Sequence, residues 1–207
     1  FYRADLLAEA GLDAPRTTDD VLFAARVLHR SGMNLSGIVM NFGRGTPVAH
    51  TYLQTLADFG QPIINLNPLG DEFDVTVIEG ENYRPRLDTD AAMQTAEFLM
   101  DLSAFAHKDS MICNWDRRIA IFARGHAAMT YGWSIRAAAF ELDENAPAYG
   151  HVKFVPHPHG PGARTVSPIG GFALTIPARL SSERQKASWK VMEYLTRPEM
   201  LKWYVLN

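Results

Sequence analysis

Two stretches of the sequence bring hydrogen-bonding groups and flat apolar surface to places where a small polar molecule can meet them. In Gly43-Arg44-Gly45-Thr46 a glycine-rich turn feeds a helix, with Thr46 suited to the N-cap and Pro47 to the first helical position. Unpaired backbone N–H groups at the positive end of the helix dipole bind hydroxyls or anions. Arg44 adds a forked donor there, and His50 and Tyr52, beyond the first turn, extend the surface. An ordinary, well-capped surface turn would carry the same residues. In the second stretch, Tyr131-Gly132-Trp133, a strand ends, the chain turns on glycine and an indole projects where the next helix starts. Ligands of α/β sheets sit at such carboxyl ends of strands. A flat ring stacks on the C–H face of a sugar, which makes Trp133 and Tyr131 candidate platforms. A tryptophan packed in the core fits the same pattern.

Catalytic signatures are missing: there is no His-Glu-x-x-His, no Gly-x-Ser-x-Gly, no Walker loop and no Gly-x-Gly-x-x-Gly after a strand. Glu79 and Glu81 are a carboxylate pair of the kind that works on glycosidic bonds, which defines the alternative reading, a glycan-active enzyme domain. Both sit in a polar Gly/Asn-rich loop, where solvated charge is the ordinary explanation, and the leading expectation is that the protein is not an enzyme. His151, His157 and His159 invite a metal. No cysteine or carboxylate adjoins them and prolines flank His157, so exposed loop histidines are expected, with no metal and no cofactor.

The elements that must position these residues follow from periodicity and caps. The chain has 207 residues, 47% of them hydrophobic, and a net charge of −3, which describes a folded protein with a substantial core and no basic face for nucleic acid. No apolar run approaches the roughly 18 residues needed to cross a bilayer. The lone Cys113 excludes an intrachain disulfide. Thr17-Thr18-Asp19-Asp20 starts an amphipathic helix that Gly32 stops, and 37–40 reads as a buried strand. A helix follows over 47–59, closed by Gly60, and residues 61–86 form a loop with a small strand or hairpin around 75–78. Asp88 or Thr89 caps a long helix through Phe105 with Met93, Ala96, Leu99, Met100 and Phe105 as its apolar stripe. Asn114 starts a shorter helix presenting Trp115, Ile119 and Phe122. A buried strand spans 127–131, a helical stretch 135–142 and a further strand 149–155. Pro156-His157-Pro158-His159-Gly160-Pro161-Gly162 can be neither helix nor central strand and reads as a linker or crossing segment. Gly170-Gly171 precedes a strand over 172–176, and Ser182 to Gln185 opens a helix by a capping-box pattern. Alternation of helix and strand without a repeat period defines an α/β class with a mixed sheet.

The order of these motifs resembles family 1 extracellular solute-binding proteins, the maltose-binding-protein-like sugar-binding components of bacterial ABC importers. The resemblance rests on Tyr2-Arg3-Ala4-Asp5-Leu6-Leu7-Ala8-Glu9-Ala10-Gly11 through Pro15 and Asp20, and on Leu87-Asp88-Thr89-Asp90-Ala91-Ala92 before a long helix. It continues through Phe122-Ala123-Arg124-Gly125-His126-Ala127-Ala128-Met129 with Trp133 soon after, and Gly170-Gly171-Phe172 before a helix ending Tyr194-Leu195-Thr196-Arg197-Pro198. It implies a periplasmic binding protein type II-like lobe, a mixed sheet flanked by helices, plus a partial second lobe. Residues 1–156 would be the second, C-terminal lobe, and 157–207 the hinge crossing with a strand and helix contribution to the other. The implied function is a non-catalytic receptor that captures a sugar or polyol in an interlobe cleft and presents it to ABC permease membrane subunits. Carried over by position, ligand contacts fall on the loop from Asn41 through Arg44, Gly45 and Thr46 with His50 and Tyr52, on Tyr131 and Trp133, and on Gly170, Gly171 and Phe172. Phe172 stands where the family often has tryptophan, and the Arg44 loop is not shared across it. The chain is expected to be a fragment whose leader is absent, periplasmic or lipid-anchored outside the cell in origin, and prone to self-associate through faces uncovered after Val166.

Overall fold

In the computed structural model, which describes residues 1–62, 64–70, 72–77, 79–167, 169–170 and 173–206, the chain divides into two units, Phe1–Pro168 and Ile169–Asn207. The first contains β1 (Tyr2–Arg3), α1 (Ala4–Glu9), α2 (Thr18–Leu28), β2 (Ser36–Val39), α3 (Thr46–Asp58), β3 (Pro68–Leu69) and β4 (Glu72–Phe73). It continues with α4 (Asp90–Ser103), α5 (Trp115–Ala123), β5 (Ala127–Thr130), α6 (Ala138–Glu141) and β6 (Val152–Lys153). The second contains α7 (Ser182–Leu195) and α8 (Pro198–Leu206).

A four-stranded sheet in the order β2-β5-β1-β6 organises the first unit. β2 and β5 run parallel, with Ile38 opposite Met129, and β1 lies antiparallel to both β5 and β6. Every residue of β2 and β5 is buried, as expected of parallel strands covered on both faces. Successive side chains divide two cores. Ile38 and Met40 pack with Val21, Ala25 and Leu28 of α2 and Phe98 and Leu102 of α4, while Val39 packs with Phe122 of α5 and Phe140 of α6. α2 lies so close to β2 that a Cβ on Gly37 would sit 2.0 Å from the carbonyl oxygen of Ala25, so only glycine fits there.

Local signals set the helix starts. Thr17 accepts the N–H of Asp20 at 3.0 Å while the Asp20 carboxylate accepts the N–H of Thr17 at 2.9 Å, a complete capping box. Those backbone bonds, first among them the one from Arg16, hold the Asp20 carboxyl below its usual pKa. Thr89 caps α4 and Asn114 caps α5 in the expected places.

Several expectations are corrected. α2 ends at Leu28 rather than near Gly32, because His29 turns away to meet the carbonyl of Phe105 at 3.1 Å. The buried face of α4 is Ala92, Thr95, Phe98, Leu99 and Leu102, leaving Met93 and Met100 62% and 72% exposed. Thr95 is accommodated there because its hydroxyl donates to Ala91 O of its own helix at 2.7 Å. The hairpin forms at β3 and β4, not at residues 75–77. Asp74 Oδ1 accepts the N–H and hydroxyl of Thr76 at 2.8 and 2.7 Å, and this turn diverts the backbone from a strand; Ile78 lies outside the described residues. α6 is a single short turn after a 3-10 turn over Ser134–Ala137. β6 is only Val152–Lys153, since the residues before it are spent in turns closed by Tyr149 N–H to Ala146 O and His151 N–H to Ala148 O.

In the second unit residues 173–176 form no strand and have no ladder partner among the described residues, and Gly171 and Phe172 lie outside them. α7 is capped by Ser181 rather than Ser182, and Gln185 donates to Ala178 O and Leu180 O instead of closing a box. Neither α7 nor α8 buries a residue.

Candidate ligand-binding site

Parallel pairing of β2 and β5 sends both strands out at the same edge of the sheet, and the loops that follow them carry the residues singled out from the sequence. After β2, Asn41 is fully buried, with its carbonyl accepting the Thr51 hydroxyl of α3 at 3.0 Å. Both polar atoms of its side-chain amide lack a partner. The chain then runs beside the segment preceding α5, with Phe42 N–H donating to Ser110 O at 2.9 Å and Gly43 N–H to Cys113 O at 3.2 Å. The cap of α3 is Gly45, not Thr46: its φ of 91° is one a side chain rarely adopts, and Thr46 and Pro47 already lie inside the helix. No side chain caps this end of α3. Arg44, Gly45 and Thr46 are exposed, and no ion pair among the described residues includes Arg44.

Three rings meet beyond this loop. His50 of α3 stands edge-on to Trp133 at 5.5 Å and to Trp115 at 6.0 Å. The two indoles lie 6.3 Å apart and within 12° of parallel. Trp115 was read from the sequence only as part of a helix face, yet it completes the cluster from the first turn of α5. Arg118, 4% exposed, lies three residues further along α5 than Trp115, and its charge acts on His50. His50 Nδ1, Trp115 Nε1 and Arg118 Nε are all buried without a hydrogen-bond partner.

Burial governs the electrostatics. It lowers the Arg118 guanidinium to a pKa of about 10, the charge of Arg136 adding to the effect while a Cys113 thiolate would oppose it. Burial also lowers the pKa of His50, with help from the Arg118 charge, and raises that of the Cys113 thiol. His50 and Cys113 are therefore neutral at pH 7.

Tyr52 and Tyr131 are placed elsewhere. The Tyr52 hydroxyl donates to Ala92 O at 2.9 Å and its ring packs on the core, which ties α3 to α4. The Tyr131 ring lies 4.8 Å from that of His157 and its buried hydroxyl has no partner. His157 in turn meets the fully buried Asp58, Nδ1 to Oδ1 at 2.6 Å. Desolvation raises the Asp58 pKa against that hydrogen bond, and burial raises Tyr131 well above the usual phenol value. Tyr131 and His157 line a pocket together with Tyr2, Ile38, Met129, Val155 and Pro158. Gly170 belongs to the second unit, and Gly171 and Phe172 lie outside the described residues.

The remaining candidates go to ordinary uses. Glu79 and Glu81 are exposed, and Glu81 pairs with Arg84 at 3.0 Å. His159 Nδ1 meets Gly160 O at 3.0 Å, and His151 lies 3.8 Å from Asp5. No group of three or more His, Cys, Asp or Glu suited to a metal occurs among the described residues.

A four-stranded mixed sheet flanked by helices is a periplasmic binding protein-like α/β fold. Residues 1–202 match the bacterial extracellular solute-binding protein family, and the chain belongs to it. Among solved structures it is similar to an ABC transporter solute-binding protein from Agrobacterium radiobacter in complex with ribitol, with 23% identity and a TM-score of 0.81 over 99% of this chain and 48% of that one. It is also similar to maltose-bound MalE3 of T. maritima, with 24% identity and a TM-score of 0.74 over 96% of this chain and 48% of that one. A third is a solute-binding protein from Thermotoga lettingae bound with alpha-D-tagatose, at 22% identity and a TM-score of 0.72 over 99% of this chain and 48% of that one. At these identities the likeness is one of fold, and the chain spans about half the length of each of the three, 48%. A comparison with curated proteins returned no match.

Proposed function

We propose that the chain supplies one wall of the cleft in which a receptor of an ABC importer captures a sugar or related polyol for delivery to the membrane permease. The observation that carries this reading is the near-parallel pair Trp115 and Trp133, edged by His50, together with buried donors that no group among the described residues satisfies. Flat rings cover the C–H faces of a sugar, and orphaned donors await the oxygens of a ligand. Membership of a solute-binding family supports binding rather than turnover, and the solved relatives hold ribitol, maltose and tagatose.

The contact surface of this reading is Asn41, the turn Arg44-Gly45-Thr46, His50, Trp115 and Trp133, while Tyr52 ties α3 to α4 and Tyr131 packs against His157. Gly170, Gly171 and Phe172 are further ligand contacts of this reading, by position in the family. Residues 1–156 act as one lobe and 157–207 as the crossing and part of the other, so that capture is a closure about the hinge. The receptor works in the periplasm or anchored by lipid outside the cell, without a cofactor; no helix among the described residues is long and apolar enough to cross a membrane. Isothermal titration of the intact protein against sugars and polyols tests the reading. Saturable binding of at least one is expected, and binding of none would remove it.

A further inference from the structure

Among the described residues Arg118 is a charge without a counter-charge. It follows Trp115 by three residues on α5, hence on the same helix face, and is 4% exposed. Its Nε has no hydrogen-bond partner, and no ion pair among the described residues includes it. The groups around it do not compensate. Arg136 repels it, and the Asp116 carboxylate, exposed at the surface, is paired with Arg136 at 2.7 Å. Cys113 is a neutral thiol because burial raises its pKa, and His50 is a neutral ring. Even with its pKa lowered to about 10 by burial, the guanidinium stays protonated at pH 7. Buried charges persist where they are paired and hydrogen-bonded.

The orphaned atoms beside it narrow the kind of partner. Arg118 Nε and Trp115 Nε1 can only donate, and His50 Nδ1 can donate or accept according to tautomer. A neutral hydroxyl would satisfy one donor at a time and leave the charge uncompensated. A carboxylate or phosphate accepts through several oxygens and supplies the missing negative charge.

We propose that the ligand of this site is an acidic sugar or polyol, its carboxylate or phosphate oxygens pairing with Arg118 and accepting from Trp115 Nε1 while its C–H face lies against the indoles. The proposal rests on the reading of the protein as a sugar or polyol receptor and adds the charge of the ligand. Matched titrations of the intact protein test it: glucose against glucuronate, gluconate and glucose 6-phosphate, galactose against galacturonate, and ribitol against ribonate. One acidic member is expected to bind about tenfold or more tighter than its neutral counterpart, as a charge-assisted hydrogen bond contributes, with the carboxylate and phosphate arms telling which anion is preferred. Arg118→Met should abolish the preference and Arg118→Lys should keep part of it. Since the preference is read on the unaltered protein, a variant that fails to fold does not blunt the test. Neutral sugars binding as tightly as their acids would overturn the proposal and leave the receptor standing; binding by neither series would overturn both.

Discussion

Replacing Trp133 by alanine separates a ring that holds the protein together from one that holds a ligand. The indole meets His50 at 5.5 Å edge-on and Trp115 at 6.3 Å in a near-parallel arrangement. Aromatic contacts of this kind contribute about 0.5–1.5 kcal/mol each beyond the area they cover, so losing two should cost about 1–3 kcal/mol of folding stability. The turn itself should survive, because it is closed by Arg136 N–H donating to the backbone carbonyl of Trp133 at 2.9 Å. On the ligand side, removing a packed aromatic anchor costs about 1–3 kcal/mol, roughly a 5- to 150-fold rise in Kd. Urea denaturation and isothermal titration of the intact protein, run on Trp133→Ala, Trp115→Ala and the double variant, measure the two effects side by side. If the indoles form one wall, the double variant should lose less affinity than the sum of the single losses, because each ring alone is already a broken wall. A Trp133→Ala protein that is destabilised yet binds its ligand unchanged would refute the argument and make the ring purely structural.

Thr17→Ala should lower stability by about 0.5–2 kcal/mol by opening the capping box of α2, read as a shift in denaturation midpoint; no shift would mean that Asp20 holds the helix start unaided. Asp58 has a folded pKa raised above 3.8, so folding favours its protonated form, and stability is greatest below that value and declines as pH rises through the folded pKa. Asp58→Asn should flatten that part of the profile in melting temperature against pH, with the gap between variant and parent widening toward neutral pH; parallel profiles would show that Asp58 is not the titrating group. The exposed apolar residues Val191, Leu201, Val205 and Leu206 on α7 and α8 should drive the chain to self-associate, and Leu201→Lys with Val205→Lys should weaken it. A single monomeric species in sedimentation at high concentration would count against this.

The placement of two loops was readable because its signals are local. Gly-rich loops after buried strands pointed to the 41–46 turn and to Trp133, and both lie at the carboxyl ends of the parallel strands β2 and β5. Tyr52 shared those signals, but its hydroxyl is taken by Ala92 O, a contact between helices that spacing does not reveal. Arg118 escaped notice although its spacing held a clue: on α5 it falls with Trp115, Ile119 and Phe122, a charged residue on an otherwise apolar face. Asp58 and His157 are 99 residues apart, and no periodicity joins them.

The sequence by itself determined the caps at Thr17 and Asn114, narrowed that of α4 to Asp88 or Thr89, and determined the buried strands β2 and β5 and the alternation that makes the class α/β, since each depends on residues within a few positions of one another. Tertiary structure alone decided the insertion of the two-residue β1 between β5 and β6, which of two adjacent faces of α4 is buried, and the meeting of His50, Trp115 and Trp133. It also decided that Arg118 lies buried, its Nε without a partner among the described residues. The physical reason is that capping and periodic burial are short-range along the chain. The cost of an unpaired charge and the stacking of two rings depend on which distant segments close over the same space.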